Sequence, residues 1–166
     1  MAAWEFQTLQ NIAEKRNYHK FISMQNYHNL VYREEEREMI PYCKDTGVGL
    51  IPWSPIARGV LARPYNSRGE TVRDKTDRFL QVLLRQKEDE IDKAIVDRVE
   101  EVAKKKGISM TAVATAWSLA KGCNPIIGLN STDRIDEAVK NIKVVLTEEE
   151  IKYLEEPYMP KVVVGY

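Results

Sequence analysis

The sequence predicts a parallel α/β fold with about three strand segments and roughly six helical ones. Three observations carry that expectation. Segments of helical period alternate with short apolar runs, their connections are short, and the apolar runs end in residues suited to ligand loops. About three parallel strands make a poor sheet alone, because both edges would offer unpaired backbone groups. The chain therefore reads as half of a larger α/β unit.

Residues 2–15 place Trp4, Leu9, Ile12 and Ala13 at loosely helical spacing. After a polar turn at 16–20, residues 21–25 form a short strand candidate, and Asn26-Tyr27-His28-Asn29 leaves its C-terminal end. Residues 33–46 read as a helix ended by Gly47, with Pro41 a local irregularity. Residues 48–51 are an apolar strand, buried on both faces as parallel strands usually are. Residues 61–76 lack periodicity and read as a long excursion over the mouth of a site, followed by a short helix at 79–84.

Residues 90–106 are the clearest helix, with Ile91, Ile95, Val99 and Val102 on one face, acids at its start and lysines at its end. Ser109 caps a helix at 110–121 whose Ala, Val and Trp117 content implies deep burial. Residues 124–128 are a third short strand, and Ser131 caps the helix that follows. Thr147 and Glu150 make a capping box opening a last helix at 148–156, and the apolar tail 158–166 is expected to dock near the site loops.

The 166 residues suffice for one domain with a real core. Apolar residues make up 43% and charged residues 30%, the balance of a soluble globular protein. Lys+Arg and Asp+Glu are equal at 25 each, so no basic excess exists to neutralise nucleic acid or anionic lipid. No apolar run approaches a membrane span, and the first residues lack the basic and apolar regions of a signal peptide. Cys43 and Cys123 stand in separate contexts without metal-ligand spacing, so a reducing cytoplasm is the expected setting and no metal is expected.

Three constellations carry chemistry. The first is Ile51-Pro52-Trp53-Ser54-Pro55-Ile56-Ala57-Arg58-Gly59. A flat indole beside a small hydroxyl, a guanidinium and a flexible backbone suits a ligand with an aromatic ring and phosphates. Its alternative is a packing tryptophan beside a proline-rich turn. The second is Gly128 to Glu137, where a strand ends and a Ser131-capped helix begins with Arg134 one turn in. Free backbone N–H groups, the helix dipole and a guanidinium make an anion site, unless Arg134 is a surface residue paired to Asp133 or Glu137. The third is Gln25 at its strand's end, where a carboxamide can pair with a ligand amide.

Together these segments, in their order and spacing, resemble the aldo-keto reductase family over essentially the whole chain. The resemblance implies the C-terminal half of a (β/α)8 TIM barrel, closest to microbial reductases with a Trp-Ser-Pro loop after the seventh strand. Residues 1–166 would then form a partial domain lacking the barrel's N-terminal half. The family reduces aldehydes and ketones to alcohols with NADPH; NADH is not excluded. By position, Gln25 matches the residue that binds the nicotinamide carboxamide, and Trp53 the aromatic that stacks on its ring. Ser54, Ile56, Arg58 and Gly59 match the pyrophosphate loop, and Ser131, Arg134 and Glu137 the site for the adenosine 2′-phosphate and adenine.

Asn130, also placed in the cofactor site, stands where many members have Lys or Arg, and Ala138 where many have Asn. The family's catalytic Asp, Tyr, Lys and His belong to the other half, so no catalytic residue is assigned here. His28 and His19 match no catalytic position. The expected partners are a carbonyl substrate and the missing barrel half or another chain. The alternatives are a non-catalytic nucleotide-binding or interaction module, or an inactive remnant.

Overall fold

Two hydrogen bonds from one buried glutamine set the start of the sheet. The structure is a computed structural model that describes residues 1–67, 76 and 90–163. Helix α1 (Ala3–Lys15) buries Phe6, Gln10 and Ala13 and leaves Trp4, Leu9 and Ile12 exposed. Gln10 is inside because its Nε2 donates to the Phe21 carbonyl at 2.9 Å and its Oε1 accepts from the Phe21 N–H at 2.8 Å. The carboxamide thus satisfies a backbone donor and acceptor just before β1 (Ser23–Met24).

Strand β1 pairs in parallel with β2 (Gly49–Leu50), Ser23 opposite Gly49 and Met24 opposite Leu50. The ladder continues through isolated bridges, Tyr27 with Trp53 and Trp53 with Ile126. Asn124 N–H donates to Leu50 O at 2.8 Å and Ile126 N–H to Pro52 O at 2.8 Å, so the 124–126 segment lies beside β2. The alternation of helices and parallel strands is as expected, but regular strand is scarcer. Two strands form among the described residues, and the third segment is reduced to a bridge. Pro52, between two residues that donate to the β1 side, lacks the N–H that would donate toward the 124–126 segment.

The helix expected over 33–46 divides into a 3₁₀ turn, Glu34–Glu36, and α2 (Met39–Thr46). Pro41 explains the break, since its ring would collide with the carbonyl four residues earlier in a continuous helix. Starting at Met39 puts Pro41 in the first turn, where the N–H has no intrahelical partner anyway. Gly47 closes α2 with φ of 72°, a left-handed cap that glycine adopts without strain.

Helix α3 (Glu90–Lys106) keeps its expected bounds and buries Ile95, Val99 and Val102. Helix α4 (Met110–Ala120) is buried along most of its length, and Trp117 is fully enclosed. Ser109 Oγ accepts from the Ala112 N–H at 3.1 Å, as its capping role requires. Helix α5 (Thr132–Asn141) is capped by Ser131, and α6 (Glu148–Glu155) opens on the expected Thr147–Glu150 box. The expected helix at 79–84 and much of the 61–76 excursion lie outside the described residues.

One apolar cluster joins the 57–62 turn with α3, α4 and α6, and a second joins α1, β1, α2 and β2. Between them sits a network of charge. Glu36 accepts from Arg33 Nε at 2.9 Å and Nη2 at 2.7 Å and lies 2.8 Å from His28 Nε2. Glu155 takes Arg33 Nη2 at 3.0 Å, Trp117 Nε1 at 2.8 Å and Lys121 Nζ at 3.1 Å. The tail docks nearby, Tyr158 Oη and Lys161 N–H each donating to buried Glu34 at 2.6 Å. Its residues 164–166 lie outside the described set.

Burial alone would raise the Glu36 pKa, but hydrogen bonds from His28 and Arg33 and the charges of Arg33 and Lys121 outweigh it and lower it. We expect Glu36→Gln to cost roughly 3 kcal/mol of unfolding free energy, because it leaves half-buried cations short of a counter-charge; urea denaturation measures this. Since the folded carboxyl has the lower pKa, its contribution is present above the ordinary value of 4.5 and is shed as pH falls below it. Wild type should thus lose stability between about pH 4.5 and 2 more steeply than Glu36→Gln does.

Candidate functional site

Parallel strands deliver the residues that follow them to one end of a sheet. Gln25 emerges there after β1, Trp53 after β2 and Ile127 after the third segment. Gln25 is exposed and Trp53 half-buried. The Trp53 ring stacks on Tyr27 with centroids 4.4 Å apart and planes 26° apart, so one indole face is covered from within. Tyr27 in turn lies 4.8 Å from Tyr32.

The loop after Trp53 is under backbone strain. Ser54, Ala57 and Arg58 have φ of 53°, 48° and 55°, and Gly59 has 103°. Among the described residues the only other non-glycine with positive φ is Asn17. Each such residue costs on the order of 1–2 kcal/mol, and these conformations concentrate at ligand sites. Gly59 is required by conformation alone, since a Cβ there would meet nothing within 4 Å.

The surroundings hold the loop in this state. Asn29, fully buried, donates from Nδ2 to the Ser54 carbonyl at 3.1 Å and accepts at Oδ1 from the Val31 N–H at 3.1 Å. Inside the loop, Ala57 N–H donates to Ser54 O at 2.9 Å and Gly59 N–H to Ile56 O at 2.9 Å.

A cleft of about 880 Å³ opens beside this loop. It brings together Ile56, Arg58, Gly59, Asn130, Arg134 and Glu137 from the sequence-based set. Gln25, Trp53, Ser54 and Ser131 are not on its lining. Ser131 instead caps α5 through the Arg134 N–H at 3.4 Å. Arg134 Nη1 donates to Asn130 Oδ1 at 2.8 Å, which ties the guanidinium to the turn before α5. Glu137 accepts from Ser109 Oγ at 2.6 Å and is tied to the α4 cap.

Sequence reasoning missed Arg63, Thr111, Thr115 and Asn141 on the cleft wall, and Asn29 behind the loop. Arg63 sits in the Arg-Pro segment after the loop and could have been noticed as a further cation. The others carry no local signal. Among the described residues the cleft lining carries Arg58, Arg63 and Arg134 and a single carboxylate, Glu137, a composition suited to an anionic ligand.

Proton-transfer and nucleophilic groups are poorly placed here. His28 is fully buried between Glu36, Cys123 and Trp117, while His19 is exposed. Burial pushes both the Cys43 and Cys123 thiols up, away from a reactive thiolate. Among the described residues no cluster of His, Cys, Asp or Glu could hold a metal ion, and no helix is long and apolar enough to cross a membrane.

The family model described as the aldo/keto reductase family matches residues 2–158. Versiconal hemiacetal acetate reductase of Aspergillus parasiticus is 67% identical over 164 residues, covering 98% of this chain and 48% of that protein. An aldo-keto reductase of Fusarium vanettenii is 44% identical over 166 residues, 100% of this chain and 44% of the relative. One from Alternaria alternata is 45% identical over 158 residues, 95% and 42%. The chain spans about half the length of the curated relatives it matches. A match over nearly the whole chain, with identity of this order, means that the protein belongs to the aldo/keto reductase family.

Proposed function

We propose that this chain is the C-terminal, cofactor-binding half of an NADPH-dependent reductase of aldehydes or ketones, built on a (β/α)8 barrel. The observation that carries the reading is the strained 54–59 loop at the edge of a three-arginine cleft. Arg58, Arg63 and Arg134 together fit a ligand carrying several phosphates.

Two unpaired apolar margins support the half-barrel reading. Phe21 and Ile22 are exposed at the β1 edge, Ile22 at 84%, and Ile135, Val139 and Ile142 are exposed on α5. Such faces ask for neighbours. The remaining length of the relatives would supply them, together with the family's catalytic Asp, Tyr, Lys and His.

In this reading Gln25 pairs with the nicotinamide carboxamide, and Trp53, fixed by Tyr27, offers its other face to the ring. Ser54, Ile56, Arg58 and Gly59 hold the pyrophosphate. Asn130 orients Arg134 toward the 2′-phosphate, Ser131 keeps the α5 N-terminus formed beside it, and Glu137 lies at the adenine. When bound, the cofactor supplies the hydride that turns a carbonyl into an alcohol. A proton donor is needed as well. The tyrosines with displaced pKa values are displaced upward, Tyr27 and Tyr158 by burial and Tyr153 by its bond to Glu101. An acid at neutral pH needs the opposite shift, which supports a donor from the other half.

Titrating the chain with NADPH and following tryptophan fluorescence tests the reading. We expect saturable binding, no carbonyl reduction by this chain alone, and about tenfold weaker NADPH binding in Arg134→Ala with NADH within twofold of wild type. Equal affinity for both nucleotides in wild type and variant would sink the assignment of Arg134. Asn29→Ala, which unpairs the buried Val31 N–H and removes one of two hydrogen bonds to the Ser54 carbonyl, should cost about 2 kcal/mol in a denaturant melt and weaken both nucleotides alike.

A further inference from the structure

We propose that tail residues 158–161 are a strap whose docking is coupled to the cleft: an occupied 54–59 loop favours the docked strap, and a released strap weakens the ligand. The inference takes its ligand class from the nucleotide reading above. It adds residues that do not line the cleft.

The strap has two anchors. At the first, Tyr158 Oη accepts from the Arg33 N–H at 2.8 Å and donates to Glu34 Oε1 at 2.6 Å. The Lys161 N–H donates to the same oxygen at 2.6 Å, and Arg37 Nε donates to Glu34 Oε2 at 2.7 Å. The Glu34 side chain is 1% exposed, so the tail supplies hydrogen bonds that water cannot reach to provide. Burial alone would raise the Glu34 pKa, but these bonds outweigh it and lower it. At the second anchor, Lys161 Nζ pairs with Asp92 near the start of α3, whose side chain is 3% exposed. A released strap takes donors from two buried acids at once, which sets the docked and released states apart.

Each anchor leads to the cleft loop. Arg33, whose N–H holds Tyr158, has its guanidinium 5.3 Å from the Tyr158 ring and 5.8 Å from the Trp117 ring, and it binds Glu36. Glu36 holds His28, and Asn29 beside it donates to the Ser54 carbonyl. Asp92 leads to the ring platform. Burial does most to raise the Tyr27 pKa and the Asp92 carboxylate adds to it, so that charge is felt at the Tyr27–Trp53 stack. A strap docked on both anchors favours one arrangement of the loop, and linkage makes the effect reciprocal.

Hydrogen exchange of the tail peptide in the full chain, followed by mass spectrometry with and without saturating NADPH, tests this. In wild type, NADPH should slow exchange over residues 158–161 about threefold. Tyr158→Phe and Lys161→Met should each speed that exchange about tenfold in the free protein and weaken NADPH about threefold. Lys161→Arg, which keeps the charge facing Asp92, should restore both. Thermal melts of the free variants separate these effects from unfolding. Wild-type tail exchange that ignores bound NADPH overturns this inference and leaves the nucleotide reading standing. So does undiminished NADPH affinity, or unchanged tail exchange, in folded Tyr158→Phe and Lys161→Met. Wild type that binds no NADPH overturns both.

Discussion

Glu36 and Glu155, facing Arg33 and Lys121 across the Trp117 ring, are the contact on which the rest of the site depends. Ion pairs of this kind add little net stability, because desolvation offsets most of the attraction. Their effect is geometric. Guanidinium, indole N–H and carboxylates have fixed hydrogen-bonding directions, so the turn after β1, α4 and α6 meet in a single arrangement. Removing one member strands the others half-buried and charged.

From that contact the order propagates to the cleft. Glu36 holds His28, which packs against Trp117, and the next residue, Asn29, clamps the Ser54 carbonyl. The strained 54–59 loop therefore rests on a buried side chain whose own position is set by the ion-pair network. The strain has to be offset elsewhere, and here the offset comes from tertiary hydrogen bonds and from Val60 and Leu61 entering the main core. The result is a loop whose backbone is held by the protein itself, and such preorganisation lowers the ordering cost of binding wherever a loop meets a ligand.

The α5 side is organised differently. Its cap, the Asn130–Arg134 bond and the Glu137–Ser109 bond are mostly exposed. Ion pairs and hydrogen bonds in such positions hold weakly. One wall of the cleft is thus held by buried contacts and the other by exposed ones. Ile135 and Val139 on α5, with Ile142 just after it, form an exposed apolar stripe among the described residues.

Much of this was legible in residue order because local rules decide it. The 90–106 helix, the Ser109, Ser131 and Thr147 caps and the Gly47 stop follow from periodicity and from which side chains can satisfy terminal backbone groups. The side-chain types of the Trp53–Gly59 and Asn130–Glu137 segments marked them as candidate ligand segments, and the fold brings Ile56, Arg58, Gly59, Asn130, Arg134 and Glu137 to one cleft. The split at Pro41 follows from a local clash, whereas tertiary structure alone decided the burial of Gln10, whose partners are backbone groups outside its helix. It alone brought Thr115 and Asn141 under one cleft and put Asn29 behind the loop. Sequence by itself determined which groups the chain carries and where most of its helices are capped, because caps are local; the fold decided which of those groups are buried, and burial turns an ordinary asparagine into a clamp.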